Sequence, residues 1–281
     1  MPAAPEASAR PRHDPLLNAR RTGYTRSGFA ARYHAHRPRP PAALVDMLLQ
    51  LAGTRRPALV VDLGSGTGIS TTVWAPHAER VVGVEPLDEM RAIAEADNPS
   101  PNVGFTAGVA QQTGLPAGAA DIVTCGQSLH HAEPAGTMAE IGRVLRPGGV
   151  FAAYDYDWPP MVHWEANRAF EAFIDGVRAL RAQHGIRSEQ EQWGKDEHVE
   201  RMRGSGLFRQ VSEISLHNVE RCTAERWVGF ACTISTVLPV LDLGLSDDEL
   251  GLTALRAQAE RTLGAEGLPW YVSYRVRAAV K

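Results

Sequence analysis

The chain has 281 residues, 44% hydrophobic and 22% charged, the proportions of a soluble globular protein with one large domain or one domain carrying a sizeable insertion. No apolar run approaches the ~18 residues that a bilayer span needs, and no apolar signal core opens the chain, so the composition predicts a cytoplasmic protein with no membrane partner. The net charge of −3 is uneven: residues 1–41 hold eight arginines against Glu6 and Asp14, a local +6, which leaves −9 on the remainder.

Residues 1–18 are rich in Ala, Pro and Arg, and the composition predicts a disordered basic arm reaching to about residue 22. Its prolines oppose an amphipathic transit helix, and its lack of lysines and interleaved aromatics disfavours nucleic acid as a partner. From Gly23 the chain leads to Tyr33 and Arg37 in the pattern Tyr-x-x-x-Arg-Pro. Pro40 and Pro41 then open a helix over Ala42–Ala52, with Leu44, Val45, Leu48 and Leu49 on one face and Gly53 as its stop.

Leu59-Val60-Val61 reads as the end of a buried parallel strand. It runs into Asp62 and a glycine-rich turn, with a helix opening near Ile69. Glycines at such a junction let the backbone approach a ligand, and the helix start offers unpaired N–H groups. A dinucleotide fingerprint needs glycine at the first, third and sixth positions, but here Gly64, Gly66 and Gly68 alternate and the sixth position is Ile69. Arg80–Val84 forms a second buried strand that ends at Glu85, an acid placed to accept bonds from both ribose hydroxyls of a nucleoside across the first turn.

A helix over about Leu87–Ala96, a short strand Val103–Phe105, a loop Ala107–Pro116 and a strand Ala120–Cys125 follow. Cys125, Cys222 and Cys232 are an odd set without metal-ligand spacing, so neither a disulfide framework nor a metal site is expected. Gln127, His130 and His131 stand just beyond the fourth strand, where either histidine is a candidate base. Glu133-Pro134 starts a helix with Met138, Ile141 and Leu145 on its apolar face. Leu145–Gly149 turns into a strand Val150–Tyr154, and Asp155, at the end of that strand, is a third candidate base.

The Asp62–Gly68 turn followed by Glu85, the strand at 120–125 and the Leu145-Arg146-Pro147-Gly148-Gly149 turn together resemble the class I S-adenosylmethionine-dependent methyltransferases, in the branch similar to quinone-biosynthesis and trans-aconitate enzymes. The resemblance covers about 23–157 by motif and 195–281 by pattern. It implies a Rossmann-like doubly wound α/β fold: a seven-stranded, mostly parallel sheet whose last strand is antiparallel. It also implies S-adenosyl-L-methionine as cofactor, held by Asp62, Gly64, Ser65, Gly66 and Gly68 and, at the ribose, by Glu85. Pro86 and Met90 would flank the adenine, Gly108, Val109 and Ala110 would meet its edge, and Gln127 would complete the site. Tyr33 and Arg37 would lie near the amino-acid end of the cofactor. Gln111 stands where many relatives carry Glu, and neither the nucleobase-type Asn/Asp-Pro-Pro-aromatic motif nor the Asp of catechol-type enzymes follows the fourth strand.

From Trp158 to about Gly194 the chain leaves the minimal pattern. Phe170, Phe173, Ile174, Val177 and Leu180 follow helical spacing up to Gly185, which predicts a helical lid over the substrate mouth, walled by Trp158, His163, Trp164 and Trp193. A helix near Lys195–Met202 and a strand near Phe208–Val219 come next. Thr223 caps a helix carrying Trp227, Phe230, Ile234 and Leu238, a second candidate wall. Ser246–Glu249 is a capping box that opens a helix to about Leu263, and Val272–Val280 alternates as a closing strand. The organisation expected is a basic arm 1–22, a cofactor-binding core 23–157, a lid 158–194 and a closing part 195–281. The function expected is O- or N-methylation of a small acceptor, a secondary metabolite or quinone-like compound, by a monomer or homodimer. An RNA or protein methyltransferase using the basic arm is the alternative, as is a non-methylating S-adenosylmethionine binder.

Overall fold

The computed structural model describes residues 14–281, so the expectation for the first thirteen residues lies outside the described part. Three helices come first: α1 (Pro15–Arg20), α2 (Phe29–His36) and α3 (Ala42–Leu51). The chain then runs through β1 (Leu59–Leu63), β2 (Arg80–Val84), α4 (Asp88–Ala96), β3 (Val103–Thr106), β4 (Ala120–Gly126), α5 (Pro134–Val144) and β5 (Leu145–Tyr156). After α6 (Trp164–Gln183) and α7 (His198–Gly204) it closes with β6 (Gln210–Cys222), α8 (Ala224–Ala231), α9 (Leu238–Leu241), α10 (Leu252–Thr262) and β7 (Leu268–Val280).

These strands form one seven-stranded sheet in the order β3-β2-β1-β4-β5-β7-β6. β1 to β5 pair in parallel, and β7 is antiparallel to both neighbours. This is the expected Rossmann-like doubly wound α/β sheet with an antiparallel last strand. Both faces of its parallel part are buried, which is why β1 and β2 read as continuous apolar runs rather than as alternating ones. Val60 and Val81 pack on one face beneath α3, with the aromatic cluster of α6, α8 and β7 further along the same core. Val61 and Val82 pack on the other face with Met138 and Ile141 of α5. Strand order reverses at β1, between β2 and β4, and that opens a crevice at the carboxyl ends of these strands.

Four local expectations change. The helix expected at Ile69 is a run of turns with one 3-10 turn over Thr72–Trp74. Ser70 and Thr71 spend their hydroxyls on Asp62, and the β-branched Thr71-Thr72-Val73 run is a poor helix former. The helix after Thr223 ends at Ala231 rather than Leu238, because Thr233 turns its hydroxyl back to the carbonyl of Phe230 within another β-branched run. The Ser246–Glu249 capping box forms, with Glu249 Oε2 accepting from the Ser246 N–H at 2.8 Å, but Gly251 at φ 77° separates it from α10. The fourth change concerns the arm: residues 15–20 are helix α1. Asp14 Oδ1 accepts from the N–H groups of Leu16 and Leu17 and Pro15 occupies the first turn, a complete helix start that the Ala/Pro/Arg composition obscured.

Candidate active site

The glycine-rich turn is held from behind by Asp62. Its fully buried carboxylate accepts from Ser70 Oγ and Thr71 Oγ1, each at 2.7 Å, and from Thr124 Oγ1 at 2.8 Å. Burial pushes its pKa up against these bonds. Asp62 therefore shapes the turn and is absent from the cavity lining, in contrast to the direct ligand contact expected of it. Gly64 and Gly66 lie at φ 65° and 55° and do line the cavity. A Cβ on Gly64 would meet Ser128 Cβ at 2.6 Å, whereas one on Gly66 would meet nothing within 4 Å and would project into open space. Gly68 packs on Phe105 and Ala94, and Gly108 packs against Val84, where a Cβ would sit 2.8 Å from Cγ1. Both are closely packed glycines and neither lines the chambers.

Two adjoining chambers share Tyr33, Gly64, Gly66, Gly126 and Gln127 in their walls. Glu85 reaches into the first with each carboxylate oxygen already used once: Oε2 accepts from the Gly66 N–H at 2.9 Å and Oε1 from the Leu87 N–H at 3.0 Å. Two lone pairs stay open on a rigidly aimed carboxylate, the number that a ribose diol needs. Burial pushes this carboxyl up to about 7 despite the two N–H bonds. Pro86, Leu87 and Met90 supply an apolar wall beside it, and Val109, Ala110 and Gln111 line the same chamber. Gln111 Nε2 is buried without a partner there.

The second chamber is lined by Tyr33, Arg37, Tyr154, Tyr156 and Tyr274 along with Ser65, Thr67 and Ser70. Arg37 is buried and meets no carboxylate: Nε donates to Thr233 Oγ1 at 2.9 Å, NH2 to the Thr233 carbonyl at 2.6 Å, and NH1 to the Tyr156 hydroxyl. Its guanidinium carbon lies 4.6 Å from the Tyr33 ring centre. A buried guanidinium stabilised by hydroxyls, one carbonyl and π-faces is an anion site in waiting. The hydroxyls of Ser65, Thr67 and Tyr154 are also buried without hydrogen-bond partners. The residues present thus fit a nucleoside carrying a charged amino-acid tail, with the tail toward Arg37.

Gln127 stands where the chambers meet, in the left-handed region at φ 56°. Its N–H donates to the Tyr154 carbonyl at 2.9 Å and its Oε1 accepts from Lys195 Nζ at 3.3 Å, while Nε2 is buried without a partner. Lys195 in turn pairs with Asp155 at 2.8 Å, and Arg277 pairs with the other oxygen of that carboxylate at 3.0 Å. Burial pushes Asp155 up, but the bond to His130 and the Lys195 ammonium overrule it and hold the carboxyl well below its ordinary range. Asp155 and His130, two of the expected bases, line neither chamber. His131 does line the first chamber, yet burial and the neighbouring His130 keep its pKa well below the ordinary value. Gln190, whose Oε1 accepts from Gln192 at 3.2 Å, donates Nε2 to His131 Nδ1. That contact occupies His131 Nδ1.

None of the six aromatic and histidine residues expected to wall the pocket lines either chamber. Trp227 and Phe230 are fully buried core, with the Phe170 ring centre 4.9 Å from Trp227 and the Trp270 ring centre 5.0 Å from Phe230. Trp158 stacks behind the second chamber, edge-on to Tyr156 at 5.7 Å. His163 caps α6 by accepting from the Glu165 N–H, Trp164 is exposed, and the Trp193 N–H donates to the His130 carbonyl. Helix α6 buries Phe170, Phe173 and Val177 on the α8–α10 side and does not close the chambers as a lid would.

The cover comes instead from α1 and the residues that follow it. Pro15, Ala19, Thr22 and Tyr24 line the first chamber. Asn18 ties α1 to both neighbours: Nδ2 donates to the carbonyls of His131 at 2.8 Å and Glu191 at 3.1 Å, and Oδ1 accepts from the Glu191 N–H at 2.8 Å. Tyr24 stacks on Phe29 at 4.8 Å and meets His131 edge-on. The Asp14-Pro15 helix start was the one sequence signal for this cover.

Residues 61–153 match the family described as Methyltransferase domain. An uncharacterised methyltransferase of Mycobacterium tuberculosis is 37% identical over 117 residues, 42% of this chain and 46% of that protein. A demethylmenaquinone methyltransferase of Beutenbergia cavernae is 32% identical over 123 residues, 43% of this chain and 50% of that one. The chain therefore spans about half the length of the curated relatives it matches. Among solved structures, a protein of Anaeromyxobacter dehalogenans described as a type II methyltransferase is 28% identical with a TM-score of 0.57, over 87% of this chain and 97% of that one.

Proposed function

We propose that the chain, whose residues 61–153 match a methyltransferase domain, is an S-adenosylmethionine-dependent enzyme that methylates a small acceptor at nitrogen or an acidic oxygen. The observation that carries this reading is Glu85, fixed by two backbone N–H groups beside Gly66 and facing the same chamber. When bound, the cofactor supplies a sulfonium methyl that a nucleophile displaces, the electron pair of the broken S–C bond going to sulfur. Glu85 would hold the ribose, the apolar wall of Met90 and Ala110 would meet the adenine, and Arg37 with Tyr33 would take the carboxylate of the tail. Gln127 Nε2, fixed through Lys195, offers one donor where the two chambers join. Alignment and exclusion of water are what an already activated methyl requires from the protein.

Apart from Glu85, which is assigned to the ribose, the candidate groups in and beside the walls are not poised to take a proton. Asp155 is clamped by cations, His131 has Nδ1 occupied, and burial pushes Tyr154 well above its ordinary value. The acceptor therefore arrives with its lone pair ready, as a neutral amine or an ionised phenol or carboxyl, and an amine loses its proton to solvent afterwards. The cover of α1, Thr22 and Tyr24 over the first chamber favours a small molecule over a folded protein or RNA, of the secondary-metabolite or quinone type. The test is incubation with methyl-labelled cofactor and separate panels of amines, phenols and RNA. Label in the small-molecule fraction with equimolar S-adenosylhomocysteine is the expected result. Label confined to RNA, or cofactor binding with no transfer to any panel, contradicts the reading.

A further inference from the structure

Behind the α1 cover lies a second feature, a groove on the outer surface lined by Arg20 and Arg21 at the end of α1, by Arg26, and by Arg181 and Arg187 from the end of α6 onward. Against five arginines stand two acids in its walls, Glu189 and Asp242. Asp242 is already committed, since its Oδ2 accepts from Arg26 Nε at 2.7 Å. Arg181 makes one hydrogen bond, to the Thr236 carbonyl at 3.1 Å. Arg20, Arg21 and Arg187 have no acidic partner among the described residues. An excess of three positive charges is thus gathered in one concave surface of a chain whose net charge is −3. Like charges in a groove repel one another, while its low-dielectric walls focus their field on whatever anion enters.

The groove shares a wall with the first chamber. Thr22 lines both, and Gln190, in the groove wall, is the residue that donates to His131 in the chamber wall. We propose that the groove binds the anionic end of the methyl acceptor, a phosphate or a carboxylate, while its reacting end enters the first chamber past Thr22 and Gln190. This rests on the methyltransferase reading above and names the substrate class that the reading leaves open. The arginine fork suits the planar or tetrahedral oxygens of such a group, and the uncommitted guanidiniums Arg21 and Arg187 are the two on which the assignment turns.

The test uses the full chain and inorganic pyrophosphate as probe, titrated calorimetrically at low salt with S-adenosylhomocysteine already bound. One saturable pyrophosphate site is expected, weakened about tenfold by raising the salt and by about as much in the double variant R21S/R187S. The exposed change R168S, outside the groove, should leave it unaltered, and all three proteins should bind S-adenosylhomocysteine alike. Absence of saturable pyrophosphate binding, or equal binding by wild type and the double variant, overturns the proposal. Binding of single-stranded RNA that strengthens with its length and is lost in R21S/R187S also overturns it, in favour of a nucleic-acid acceptor. Failure to bind S-adenosylhomocysteine would instead strike the reading of the glycine turn and leave the pyrophosphate result to stand by itself.

Discussion

Glu85 and Gly66 carry more of the account than any other side chain or backbone position. Replacing Glu85 by Gln keeps the shape but removes the ionised acceptor, and S-adenosylhomocysteine affinity should fall by about tenfold or more, ~1.4 kcal/mol. Burial sets the sign of the pH effect. The carboxyl sits at about 7 in the folded protein against an ordinary 4.5, so its contribution to folding is full below the lower value and fades as pH rises through the upper one. Ribose hydroxyls donate to the ionised form, so binding near pH ~6 should release a proton and affinity should climb between pH ~5.5 and ~7.5. Titrations in buffers of different ionisation heat would read that proton, and the Gln variant should show neither the slope nor the buffer dependence. Gly66→Val puts a β-branched residue at φ 55° with its side chain in the cavity, and should cost at least as much affinity while the fold persists.

Among the elements, the short α1 is the one whose role is least obvious from its length. The buried Asn18 gives it three hydrogen bonds, all part-buried, to His131 and to the 188–195 stretch. Asn18→Ala should cost ~1–3 kcal/mol locally and raise amide hydrogen exchange over 188–193 without unfolding the sheet. Strands and turns were legible in the sequence because their signals are local: the Val/Leu runs of β1 and β2, the alternating glycines, Glu85 at the end of a strand. The walls of the site were not. Trp227 and Phe230 show helical spacing whether they face a pocket or a core, and only their packing on Phe170 and Trp270 decides. Lys195 meets Gln127 and Asp155 across 68 and 40 residues of chain, a pairing no spacing rule reaches. Asp155 itself had the right place at a strand end; what disqualifies it is the pair of cations brought in from elsewhere in the chain.

For the molecule as a whole, the sheet order and the two cores explain why the ligand lies where it does, and the buried histidines decide how acid undoes the fold. Burial pushes His198 down to about 4, and lowers His130 and His131 as well. A histidine depressed in the folded state contributes stability that is present above its unfolded value of about 6.5 and is lost as pH falls through the folded value. Glu85 and Asp62, both raised by burial, work the other way in part of that window, while His36, also lowered, adds to the histidine side. The melting temperature should therefore drop as pH is lowered from ~6.5 to ~4, and H198Q should flatten that decline. Binding tests the central claim most directly, through calorimetric titration of the full chain with S-adenosylhomocysteine and, separately, NADH. The account predicts one S-adenosylhomocysteine bound per chain, sharply weakened by Glu85→Gln and by Gly66→Val, and no heat from NADH. Tight binding of NADH with no response to S-adenosylhomocysteine would contradict it.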